Sequence, residues 1–121
     1  MKLLFYTSCG MIIGNAYTIF VCKSPIKLIW TFGLLTSVIN HSILSETSYA
    51  KVFFRTLDRN TMRAGFIIYH LYQVKYLYIL QSSAFCYIIS KLTKKIHFHV
   101  LSHLLIVIFH NKMLPTLSIK L

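Results

Sequence analysis

The sequence is poor in acid. Asp58 and Glu46 are its only carboxylate side chains, set against 13 Lys and Arg, and the net charge is +11. Charge of either sign is scarce, at 12% of residues, where a soluble domain carries about 25%. Hydrophobic residues make up 56%. A chain of 121 residues has room for one domain, and a water-soluble domain that small needs polar groups over a large relative surface. The shortage argues against a soluble fold and for lipid as the solvent. Cysteines number three. Cys9, Cys22 and Cys86 are odd in number, lie in apolar stretches and form no CxxC, so they read as small buried apolar residues, not as disulfides or metal ligands. Among the four glycines, the run from Cys9-Gly10 to Gly14 is a weak instance of small-residue helix packing. There is no internal repeat and no low-complexity tract.

What the chain does have is a series of long apolar segments separated by basic ones. The cations are not gathered on one face, as a nucleic-acid footprint would require. They fall at Lys2, at Lys23 and Lys27, from Lys51 to Arg63, and from Lys91 to Lys95, where charges flank membrane spans. Anionic lipid headgroups account for them, and no nucleic-acid partner is expected. The first apolar run is about 20 residues long, enough to span a bilayer, and has no clear cleavage site before Lys23. Its Thr7-Ser8-Cys9 triplet only faintly resembles a lipoprotein cleavage box.

The expected fold is all-α, a polytopic transmembrane helix bundle of about five spans in a single domain covering 1–121. The spans are 3–22, 28–44, 58–74, 76–90 and 96–110. Pro25 cannot continue the first helix and suits a tight turn or the start of the second. Within 45–63, the segment from Tyr49 to Arg55 reads as an interfacial amphipathic turn. The stretch 64–90 admits two readings. One tilted helix would bury Lys75 at about 3 kcal/mol. Two helices meeting at Gln73-Val74-Lys75 would place Lys75 at an interface beside Tyr72, Tyr76 and Tyr78, and this second reading is preferred. A cytoplasmic N-terminus puts Lys2, Lys51, Arg55, Arg59, Arg63, Lys91, Lys94 and Lys95 inside. It leaves Lys23, Lys27, Lys75, Lys112 and Lys120 outside, so the positive-inside rule favours it.

Three short patterns carry chemistry. In Ser37-Val38-Ile39-Asn40-His41, Ser37 and His41 stand one helical turn apart on one face. Thr56-Leu57-Asp58-Arg59 supplies one of the two acids. His99-Val100-Leu101-Ser102-His103 places two imidazoles at i and i+4, a spacing that brings two ring nitrogens onto one metal ion. With five alternating spans, all three patterns lie near one membrane face. Three histidines would make a zinc site with an open fourth position, where water is acidified towards neutral pH. Asp58 would orient a ligand or the water, and Ser37 would hydrogen-bond the water or a developing oxyanion.

The order Ser-x3-His, then Asp, then His-x3-His, all at helix ends, resembles the CREST superfamily of membrane proteins. It is most similar to the hemolysin III branch and the progestin and adipoQ receptors, with alkaline ceramidases more distant. Ser37-Val38-Ile39-Asn40-His41-Ser42, Phe54-Arg55-Thr56-Leu57-Asp58 and His99-Val100-Leu101-Ser102-His103-Leu104 carry it. The resemblance implies a zinc ion (Zn2+) on His41, His99 and His103, with Asp58 and Ser37 beside it, and in some members hydrolysis of lipid amide bonds. Asn40 stands where an aromatic is usual, Arg59 where His is common and Ser102 where Trp is common. The family has further spans beyond these five. Losing an adjacent pair keeps every motif on its side of the membrane, and a homo-oligomer would supply the missing helices from a second copy.

Plainer readings stand beside these. His70 and His110 read as packed, hydrogen-bonded residues, and His97 as a headgroup contact. Asp58 between Arg55 and Arg59 fits a surface ion pair or a helix cap, and Ser37 a backbone bond one turn back. The expected function is a CREST-like zinc-site protein, a hydrolase of lipid amide or ester bonds. The alternative is a non-enzymatic membrane scaffold, a pore-forming protein or an inactive relative.

Overall fold

Two kinds of local signal set the helix boundaries: short basic turns that stop helices and one capping serine that starts one. The computed structural model describes residues 2–43 and 47–117, and they fold into five helices with no strand among them. They are α1 (Lys2–Val21), α2 (Lys27–Ser42), α3 (Tyr49–Leu71), α4 (Leu77–Thr93) and α5 (Ile96–Met113), followed by a single 3-10 turn at Leu114–Thr116. Glu46, Leu44 and Lys120 lie outside the described residues. The all-α expectation holds.

The first turn, 22–26, closes by local bonds. Ser24 Oγ accepts from the Ile26 amide, and the Lys27 ammonium donates to the carbonyls of Ile19 and Cys22 at the end of α1. A cation there satisfies carbonyls that the helix leaves open and suits the negative end of its dipole. The third helix begins earlier than the sequence suggests. Ser48 has extended backbone, and its hydroxyl accepts from the Lys51 amide, an N-cap that nucleates helix from Tyr49. The segment from Tyr49 to Arg55 is thus the opening of α3 and not a separate interfacial turn. Asp58 accordingly sits in the third turn of this helix and not at its start. Between α3 and α4 the chain breaks at 72–76, with Gln73 and Tyr76 at positive φ. The stretch 64–90 is therefore two helices. Lys94, also at positive φ, ends α4.

Successive helices run up and down. Asn15 on α1 bonds Trp30 on α2, while Ser8 bonds Ser37, so these two are antiparallel. Gly33 faces Thr61 and Gly65 faces Ile29, which sets α3 antiparallel to α2. Ser83 on α4 bonds Ser102 on α5, and α1 runs parallel to α5 through Thr7 to His103 and Asn15 to Asn111. The packing order around the bundle is α4, α5, α1, α2, α3, with slight contact between α3 and α4. At Gly14 a Cβ would lie 3.1 Å from Val107 Cγ1, so glycine there permits the close approach of α1 to α5. A Cβ on Gly10 would meet nothing, and only one glycine of the pair serves packing.

Burial is unusual in kind. Ser8, Asn15, Ser24, Lys51, Asp58 and His110 are buried, while Phe20 (86% exposed), Ile13 (79%) and Leu92 (78%) face outward. By length and composition, one helix among the described residues, Leu3–Val21, is apolar enough to cross a membrane. An N-terminal helix of this kind also fits a signal sequence. The 16 residues of α2 and the 17 of α4 fall short of the roughly 20 that a perpendicular span takes.

Candidate metal centre

One end of the bundle gathers the beginning of α1, the end of α2, the early turns of α3, the end of α4 and the beginning of α5. His41 is the penultimate residue of α2, and His99 and His103 occupy the first turns of α5. The i, i+4 spacing puts the α5 rings on one face, with centroids 4.7 Å apart and planes at 74°. His41 approaches from α2, at 5.5 Å from His99 and 5.8 Å from His103 by ring centroids. Each ring offers one nitrogen such that all three lie within 4.8 Å of one another. His41 and His103 are buried and His99 is half-buried. A single divalent ion bound at about 2.0–2.1 Å to imidazole nitrogens holds them about 4 Å apart at most, so the three rings would close in by side-chain rotation to share one. Three neutral imidazoles are a donor set suited to zinc, copper, iron or nickel. The structure thus brings together the three histidines expected from the sequence.

His103 also meets a residue of α1. Its Nδ1 lies 2.8 Å from Thr7 Oγ1 on α1. Tyr87 on α4 presents its ring to His99 edge-on at 5.2 Å. Among the described residues, no hydrogen bond reaches the ring nitrogens of His41 or His99.

The two other sequence-chosen residues sit beside the cluster with partners of their own. Asp58 is buried, and its Oδ2 accepts from Asn40 Nδ2 at 3.1 Å; Asn40 immediately precedes His41. The buried Lys51 ammonium donates to the Asn40 carbonyl at 2.6 Å, satisfying one of the last carbonyls of α2. Asp58 therefore braces the end of α2 through Asn40. Asn40 Oδ1 is buried without a partner. Ser37 Oγ shares a hydrogen bond with Ser8 Oγ at 3.1 Å and ties α2 to α1.

Sequence reasoning missed Thr7, Lys51 and Tyr87. Lys51 carried a signal, since it lies four residues before Arg55 in an amphipathic run, but that reads as surface. Thr7 carried none, because its contact is with a residue 96 positions away.

The other histidines lie elsewhere. His97 is exposed. His70 bonds the Phe66 carbonyl and Gln81. His110, 1% exposed, stacks on Trp30 at 3.9 Å, bonds the Ile106 carbonyl through Nδ1 and pairs through Nε2 with the Tyr69 hydroxyl at 2.8 Å. An apolar groove of about 470 Å³ opens between α2 and α3, lined by residues such as Leu28, Phe32, Thr61 and Ile68, and contains none of the three cluster histidines. No family model, curated protein or solved structure matches this chain.

Proposed function

We propose that this chain is a multi-pass membrane protein that holds a zinc ion on His41, His99 and His103, in the manner the CREST resemblance implies. The observation that carries the reading is the convergence of three imidazoles from α2 and α5 within 4.8 Å at one end of the bundle. The membrane part rests on the distribution of side chains. Large apolar groups face outward and polar groups are packed within, the arrangement that a lipid solvent favours. Alternating helices with basic ends agree with a cytoplasmic N-terminus, which puts the histidine end at the inner face. Membrane lipids are then both surroundings and substrate class.

A zinc ion held by His41, His99 and His103 would supply Lewis acidity towards water or a lipid carbonyl. The chain's own residues supply the rest. His41 and His103 fix the donors from two different helices, Asp58 braces α2 through Asn40, and Tyr87 walls the side of His99. The reaction that suits this set is hydrolysis of a lipid amide or ester bond. Zinc analysis of detergent-purified protein, followed by a screen of lipid amides and esters against His41→Ala, tests it. Zinc-dependent turnover in the wild type alone upholds the reading.

A second reading keeps the metal and drops the catalysis. Ser37 is bonded to Ser8, Asp58 to Asn40, and the groove lies on another face. The ion would then be a staple between α2 and α5. Stoichiometric zinc with no turnover on any lipid amide or ester, and a large loss of stability on chelation, is its signature.

A further inference from the structure

The first helix contributes no ligand to the cluster, yet it touches a ligand. Thr7 Oγ1 lies 3.1 Å from the Leu4 carbonyl and 2.8 Å from His103 Nδ1. A hydroxyl has one proton to give. A carbonyl can only accept; with the Thr7 proton on Leu4, the contact with His103 has the imidazole donating from Nδ1 to the Thr7 oxygen. A neutral imidazole with its proton on Nδ1 has its lone pair on Nε2.

We propose that Thr7 is a positioning residue of the metal centre: it fixes the Nδ1-protonated tautomer and ring orientation of His103, so that Nε2 is the atom that meets the ion. The inference deepens the zinc reading and rests on it. His110 shows the same device in the same helix. Its Nδ1 donates to the Ile106 carbonyl, and its Nε2 is left to accept from Tyr69. At His110 the freed nitrogen is taken by a hydroxyl. His103 instead stands among two other imidazoles, each ring offering one nitrogen within 4.8 Å of the others, and a metal cation is the partner that such a gathering of donors binds. Thr7 also explains how α1 belongs to the site, since metal binding to a ring held by α1 couples that helix to α5.

The test is metal affinity of the full chain in detergent micelles, read by Co2+ absorption and by Zn2+ competition, for wild type, Thr7→Val and Thr7→Ser. Valine keeps the shape and removes the acceptor; serine keeps the acceptor. Thr7→Val should lose about 10- to 100-fold in affinity, the range for removing an outer partner of a liganding histidine, and Thr7→Ser should recover most of it. A merely structural role for Thr7 would not give rescue by serine with unchanged helicity. Equal affinity in wild type and Thr7→Val overturns the assignment of Thr7 and leaves the metal site standing. Absence of binding by the metal-replete wild type overturns the metal site itself. Where Thr7→Val fails to fold, nitrogen NMR of labelled histidine in the metal-free wild type decides. A proton on Nδ1 of His103 upholds the assignment, and a proton on Nε2 overturns it.

Discussion

The bundle buries histidine at two levels of α5, and the two levels are treated differently. His103 and His110 are seven residues apart, roughly 10 Å along the axis. Around His110 every polar group is answered. The ring bonds Tyr69 and Ile106 and stacks on Trp30. Trp30 donates to Asn15, Asn15 donates to Asn111, and Thr18 donates to Asn111. Four helices are joined in one closed network, and a closed network has no call for a ligand. Around His103, Thr7 takes Nδ1 and two more imidazoles stand close by, with no hydrogen bond between the three rings among the described residues. Burial of a histidine therefore says little by itself. What separates a structural ring from a binding ring is whether its second nitrogen is already spoken for.

That contrast can be broken experimentally, and the largest expected effect is at the open site. Saturating zinc at 1,000 times its Kd should raise unfolding free energy by about 4 kcal/mol. Thermal denaturation with and without a chelator should show this in wild type and in Tyr69→Phe, and show nothing in His99→Ala. A stabilisation surviving in His99→Ala would merge the two regions into one class. At the closed site, Tyr69→Phe leaves His110 Nε2 buried and unpaired, at a cost of about 1–3 kcal/mol with metal affinity unchanged. Denaturation in the presence of chelator measures it cleanly. Between the two levels, Gly14→Ala places a methyl 3.1 Å from Val107 Cγ1. It should cost about 1 kcal/mol by overpacking and weaken both levels together. The smallest effect lies outside both. Lys94→Gly relieves a left-handed residue at φ 58° and should stabilise the α4–α5 turn by about 1 kcal/mol, read as a small rise in Tm.

Much of the site was legible because local periodicity carries it. His99 and His103 share a face by spacing alone, and His41 joins them once the helices alternate in direction. The break at 72–76 was marked by Lys75 among tyrosines. The start of α3 was not legible, because its mixture of aromatic and basic residues fits an interfacial turn equally well; the deciding bond, Ser48 to the Lys51 amide, is a matter of cap geometry. The burial of Lys51 was hidden for the same reason, since only the folded chain puts its ammonium on the Asn40 carbonyl. Ser37 shows the reverse. Its position one turn before His41 is helical periodicity, but its partner, Ser8, comes from another helix and could not be read from spacing.

The most direct measurement is elemental analysis of metal-replete, detergent-purified protein, comparing wild type with His41→Ala, His103→Ala and His110→Ala. The expected result is near-stoichiometric zinc in wild type and His110→Ala, and its loss in the other two. Zinc absent from wild type, or retained equally in all four proteins, would contradict the assignment of the open cluster as a metal centre.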